Sequence, residues 1–258
     1  SQREALAVTA ATNGFAVNLI SGRITSNNSN TGDSTVSLHE TYGTSSISLA
    51  EGTKIENTSA ASTDAVRIVM DASNNYNFTI NNSGEIKAGS NSASNAIELS
   101  DDSTATTRIF NLNNDGGVIT ANNASNTALR ILGNAKINIS NSDGGSIVGG
   151  ISANQGDTDI TNSLTSTISG NINLGNNAGS TITTSGEISG NLTFGNSAQS
   201  LTLETGGSLT GAITGSGSII SKLNSNLILN SGTLSASLNG TTLSGRGFLN
   251  INDNQTVV

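Results

Sequence analysis

A glycine followed two residues later by an isoleucine returns along the first half of the chain at a nearly fixed interval. It appears as Gly22-Arg23-Ile24, Gly84-Glu85-Ile86, Gly117-Val118-Ile119 and Gly145-Ser146-Ile147, with Gly52-Thr53-Lys54-Ile55 one residue longer. The isoleucines are 31, 31, 33 and 28 residues apart. A period in this range means a stacked architecture, because each unit buries its apolar face only against its neighbours. A second element keeps step with the first: Thr35-Val36-Ser37-Leu38, Ala65-Val66-Arg67-Ile68, Ala96-Ile97-Glu98-Leu99 and Ala128-Leu129-Arg130-Ile131. A third reads Ile47-Ser48-Leu49, Phe78-Thr79-Ile80, Phe110-Asn111-Leu112 and Ile137-Asn138-Ile139. All three alternate aliphatic and polar residues, the period of a short strand with one buried face.

Three short strands per repeat, joined by Asn, Gly and Ser corners, predict one coil of a parallel β-helix. The general handedness of parallel connections makes it right-handed. From residue 147 the unit shortens. Ile147, Ile168, Ile188 and Leu209 follow at 21, 20 and 21 residues, close to the minimum for a triangular coil. The expectation is a single all-β domain over residues 1–258, with coils of about 31 residues over 1–146 and about 21 over 147–258. Roughly ten coils at about 4.8 Å give a rod of about 50 Å. The surplus in the long coils falls between the first and second elements, from Glu56 to Asp64, Lys87 to Asn95 and Thr120 to Thr127. Stacking places these insertions above one another, so they are expected to form a polar ridge and the candidate binding surface. Helical periodicity is confined to Glu4–Ala11, read here as a terminal cap.

Composition supports the stack. Ser, Thr, Asn and Gly supply 139 of the 258 residues, so a compact globule would have little large apolar surface to bury. Disordered chains are commonly rich in Pro, Glu and Lys, whereas this one has no proline and 28 charged residues. Missing proline suits strands whose N–H groups all pair, and the 37 asparagines suit hydrogen-bonded ladders at equivalent corners. The ten basic residues are scattered singly and the net charge is −8, so nucleic acid and anionic membrane are poor partners. There is no cysteine, and no apolar run long enough to span a membrane as a helix. No cofactor or metal is called for. The final stretch, Asn252 to Val258, carries no evident cap, and the chain is read as a piece of something longer.

Candidate chemistry is sparse. Gly32-Asp33-Ser34 with His39, the single histidine, has the residue types of a nucleophile and base, but Thr35 stands where a glycine is normally expected and the segment occupies a repeat position. Asp101-Asp102 and Asp157 with Asp159 are carboxylate pairs of the kind a glycoside hydrolase needs, yet only Tyr42 and Tyr76 are available to stack on sugars and tryptophan is absent. Gly156-Asp157-Thr158-Asp159 reads as a turn rather than a calcium loop. Arg67, Glu98 and Arg130 fall at equivalent positions of successive coils and should pair across rungs or face solvent. Thr181-Ile182-Thr183-Thr184 raises ice binding, which needs a flat, regular threonine lattice; the threonines do not recur coil by coil, and that reading is rejected.

The Gly-x-aliphatic turns, the Ile-Ser-Gly-Asn-Ile/Leu motifs at 168–172 and 188–192, and the polar solenoid free of proline and cysteine resemble autotransporter passenger domains. More narrowly, the Asn-rich units resemble the passengers of rickettsial-type surface antigens and of self-associating adhesins. The resemblance implies export through a membrane barrel in the full-length protein and display at a Gram-negative cell surface. It also implies adhesion to a host-cell protein or glycan, or clumping through another copy of itself. Some passengers carry a serine protease domain; this sequence has none, so that activity is not carried over.

Overall fold

The computed structural model describes residues 4–9, 14–27, 33–39, 43–70, 76–101, 108–153, 155–176, 179–196, 198–215, 217–221, 226–229, 243–245 and 248–251. They form an all-β parallel solenoid. Strands fall in turn onto three sheets, called A, B and C, with nine strands in A and ten each in B and C among the described residues. Every strand pairs in parallel with the equivalent strand one coil away, as when Ile24 meets Ile55 and Ile55 meets Ile86.

The three sequence elements are these three sheets. Sheet C stacks Ile55, Ile86, Ile119, Ile147, Ile168, Ile188 and Leu209 in one register column. Sheet A does the same with Val36, Val66, Ile97, Leu129, Ile151, Ile172, Leu192 and Ile213. All of these side chains are at most 3% exposed, so one continuous apolar core runs up the axis. Because each coil contributes the same few aliphatics to sheets A and C, these two columns continue unbroken when coil length falls from about 31 to about 21 residues. Sheet B adds an aromatic column in which Phe15 lies 6.1 Å from Phe78, and Phe78 stacks on Phe110 at 6.3 Å.

The register corrects two expectations, the first in sheet B. The triplets suggest that Ile47 meets Phe78, but Ile47 pairs with Ile80, Ser45 with Phe78 and Leu49 with Asn82. The shift is possible because Ser45 turns inward beneath Phe78 and its Oγ accepts the Phe15 N–H at 3.2 Å. The second correction concerns Glu4–Ala11. Leu6–Thr9 is a strand of sheet A, paired with Val36–His39, and not a helical cap; residues 10–13 lie outside the described residues. Leu6 and Val8 pack against the core while Ala7 is exposed, a period of two rather than 3.6.

Asparagine ladders do form, and the most regular one is inside the coil. Asn82 donates through Nδ2 to Asn114 Oδ1 at 2.7 Å, Asn114 to Asn141 at 2.7 Å, Asn141 to Asn162 at 2.8 Å, and Asn162 to Thr184 Oγ1 at 3.0 Å. All five residues are fully buried. Their amides also hold the corner into sheet C, with Asn114 donating to Gly117 O and Asn141 to Thr167 O. The ladder begins where Leu49 gives way to Asn82, whose Oδ1 has no hydrogen-bond partner.

Candidate functional site

The corner from sheet C to sheet A separates the two halves of the chain. In the short coils it is Gly149 alone, or Gly170-Asn171 and Gly190-Asn191, and it is closed by the chain itself: Asn171 Oδ1 accepts the Asn191 N–H at 2.9 Å, and Asn191 Oδ1 accepts the Ala212 N–H at 2.8 Å. In the long coils the same corner carries residues 58–63, 88–96 and 121–126. These loops stack. Ser90 donates its N–H to Ser59 O at 3.1 Å, Asn91 Nδ2 reaches Ala60 O at 3.1 Å, and Asn122 Nδ2 reaches Ser90 O at 2.9 Å. Asn91 and Asn123 also close identical turns, accepting the N–H groups of Ala93 and Ser125.

The result is an ordered ridge whose crest exposes Thr58, Ala60, Ser90, Ser92, Ala93 and residues 122–125, all small and uncharged. The residues that bound the insertions in the sequence lie at its feet. Asp64 and Asn95 are buried and bonded to each other, with Asp64 Oδ1 accepting both the Asn95 N–H at 2.8 Å and its Nδ2 at 2.9 Å. Thr120 and Thr127 are half-buried at strand ends, and Thr120 Oγ1 donates to Ala121 O. Glu56 and Lys87 sit on the outer surface of sheet C in an ion network: Lys54 reaches Glu56 at 3.2 Å and Glu85 at 3.1 Å, and Lys87 reaches Glu56 at 3.0 Å.

Two carboxyls at this corner behave oppositely. Partial burial pushes Glu56 up, but hydrogen bonds from Lys87 and Lys54 outweigh it and hold the carboxyl below its ordinary range. Lys54 is raised because its bonds to Glu85 and Glu56 outweigh its own desolvation. Asp64 has no cation in hydrogen-bond contact; burial dominates and pushes it up to about 6, against the Asn95 bonds.

No family model matches the chain, and neither does a curated protein or a solved structure. The ridge is therefore characterised by its own chemistry.

Elsewhere the structure separates residues that the sequence placed side by side. Ser34 is buried at one end of the strand Ser34–His39 and His39 stands at the other, about 16 Å away at the rise of a strand, so no nucleophile–base pair forms; Gly32 lies outside the described residues. Asp101 points inward, ion-paired to fully buried Arg108, which also lies 5.3 Å from the Tyr76 ring centroid. Neither Asp101 nor buried Tyr76 can face a sugar, while Asp102 and Tyr42 lie outside the described residues. Asp159 is outward, accepting the Thr181 hydroxyl at 2.6 Å and facing Lys136 at 3.5 Å. Among the described residues no group of three or more metal-ligating side chains converges, and no helix is long and apolar enough to cross a membrane.

Arg67, Glu98 and Arg130 do pair across rungs, with Glu98 held by Arg67 at 3.4 Å and by Arg130 at 3.2 Å. Threonine recurs more than the sequence suggests: Thr161, Thr183 and Thr202 stand in register on sheet B. Asp159, Ser200 and Ile220 interrupt that lattice. The interior Asp101–Arg108 pair escaped the sequence reading, although Arg108 shares strand parity with inward Phe110 and Leu112.

Proposed function

We propose that the chain is a surface-displayed adhesive stalk, in which the short coils serve as a spacer and the ridge of the long coils contacts a host-cell protein or glycan. One observation carries this reading. Residues 58–63, 88–96 and 121–126 add ordered, exposed surface at a corner that closes with one or two residues elsewhere, so they do work other than completing the coil. The resemblance to autotransporter passengers supplies the setting of an outer-membrane anchor and a cell surface.

The test replaces each ridge loop in turn by the Gly-Asn corner of residues 170–171, coats beads with each protein, and counts beads bound to epithelial cells. Binding that drops while the far-ultraviolet spectrum is unchanged supports the ridge. Unchanged binding moves the contact elsewhere.

A second reading is favoured by the outer face of sheet B. Ser46, Thr79, Asn111 and Asn138 form one outward file and Ser48, Asn81, Asn113, Ser140 and Thr161 a second. This flat, nearly uncharged surface has the spacing that another copy would present, so self-association through it predicts bead clumping that survives removal of the ridge.

A further inference from the structure

We propose that the foot of the ridge is an acid-tightened clasp: closing the first two ridge loops buries the Asp64 carboxyl, so they close more firmly when it is neutral and part more readily when it is charged. The clasp matters to function only if the ridge is the contact surface, as proposed above.

Asp64 is the junction of three coils' worth of backbone. Its N–H donates to Asp33 O of the preceding coil at 3.3 Å, and its own carbonyl accepts Asn57 Nδ2 at 3.2 Å, closing the first loop. Its carboxyl accepts both donors of Asn95, closing the second. The remaining ties between the loops are neutral: Thr63 N–H to Ser94 Oγ at 3.0 Å, Ser94 Oγ to Ala61 O at 3.2 Å, Asn91 Nδ2 to Ala60 O, and the Ser90 N–H and Oγ to Ser59 O. Asp64 is thus the one titrating member of this set.

The two Asn95 donors favour the charge, but the rest of its surroundings oppose it and prevail. Asp64 is 8% exposed. Glu98, on the strand of the next coil, faces it with the same sign, and Arg67 on its own strand is shared with Glu98, which Arg130 also engages. Across the preceding strand the residue opposite is neutral Ser34, with His39 at the far end. Burial, aided by Glu98, raises the carboxyl in the closed foot above its ordinary value, to about 6. Between the ordinary carboxylate range and about 6 the closed foot binds more protons than the open one. Acid therefore favours closure, and that advantage is lost as pH rises through about 6.

Amide hydrogen exchange followed by NMR on the whole chain, carrying His39→Gln to silence the single histidine, reads this directly. Protection factors of Asn95, Ser90 and Thr63, corrected for the intrinsic pH dependence of exchange, should fall about tenfold between about pH 5 and about pH 7.5. Leu112 and Ile139 in sheet B should not change. Asp64→Asn, which keeps the acceptor oxygen but cannot ionise, should abolish the fall. Glu98→Gln, which removes the facing like charge, should move the midpoint to lower pH, and it serves if Asp64→Asn disrupts the coil. Protection that is independent of pH in the parent, or that falls equally in Asp64→Asn, overturns the clasp. Loss of cell binding by the ridge would leave these exchange results untouched, so the two ideas fail separately.

Discussion

Asn114→Leu is expected to lower unfolding stability by about 2–5 kcal/mol, although leucine matches the shape of asparagine and is more apolar. The cost arises from what is left behind. Asn82 Nδ2 keeps only a 3.5 Å contact with Val118 O, Asn141 keeps its downstream bond but its Oδ1 loses the donor above it, and Gly117 O keeps the Ser146 N–H but loses the amide that held the corner. Asn82 Nδ2 and Asn141 Oδ1 belong to fully buried side chains, and each then carries much of the desolvation penalty of a polar group without a good partner. Asn82→Leu is the contrasting control. It removes an oxygen that already has no partner, continues the column begun by Leu49 and strands a single buried acceptor, Asn114 Oδ1, so the loss should be only about 1–2 kcal/mol. Urea midpoints of the two variants check the difference. Equal losses would mean that the ladder is not cooperative and that each asparagine acts alone.

Gly190→Ala should be at least as damaging, with a loss of more than about 3 kcal/mol through combined overpacking and backbone strain. A Cβ at Gly190 would sit 2.1 Å from Gly170 O, and at Gly170 it would sit 2.4 Å from the Gly149 carbonyl carbon. Both contacts are with the backbone of the coil below, which cannot swing aside, and Gly190 has φ of 156°. Gly144→Ala separates the two causes: φ is 80° there, but nothing lies within 4 Å of the added methyl group, so only the left-handed strain of about 1–2 kcal/mol applies. Because each coil touches only its neighbours, the Gly190 variant should open the short coils first, and proteolysis should cut there before it cuts the long coils.

The β-helix was legible because its cause is a repeat. Ile24, Ile55, Ile86, Ile119 and Ile147 recur at intervals that only stacking explains, and the register places them in one column. What escaped was any inward residue whose chemistry imitates a surface residue. Asn82, Asn114 and Asn141 are followed by glycine within a few positions and look like corner residues, yet each lies inside because its neighbours in the ladder satisfy it. Ser45 concealed the true register in the same way. The insertions are likewise visible by length, but of the residues that bound them Asp64 and Asn95 are buried footing, and the exposed crest lies between the limits. Sequence spacing locates an insertion; which of its residues turn inward depends on hydrogen bonds to the adjacent coil, which one repeat unit does not encode.

The corner between sheets C and A has a practical consequence. It accommodates one residue at Gly149 and nine in 88–96 over the same aliphatic columns of sheets A and C, the longer corners adding only the small side chains of Ala88, Ala96 and Ala121 to the core. A foreign peptide spliced in place of exposed residues 122–125, between buried Ala121 and half-buried Asn126, whose carbonyl accepts the Gly150 N–H, should therefore be carried on one flank without refolding its host. Moving the splice from coil to coil would raise the cargo in steps of about 4.8 Å, making the rod a graduated scaffold for setting the height of a displayed epitope.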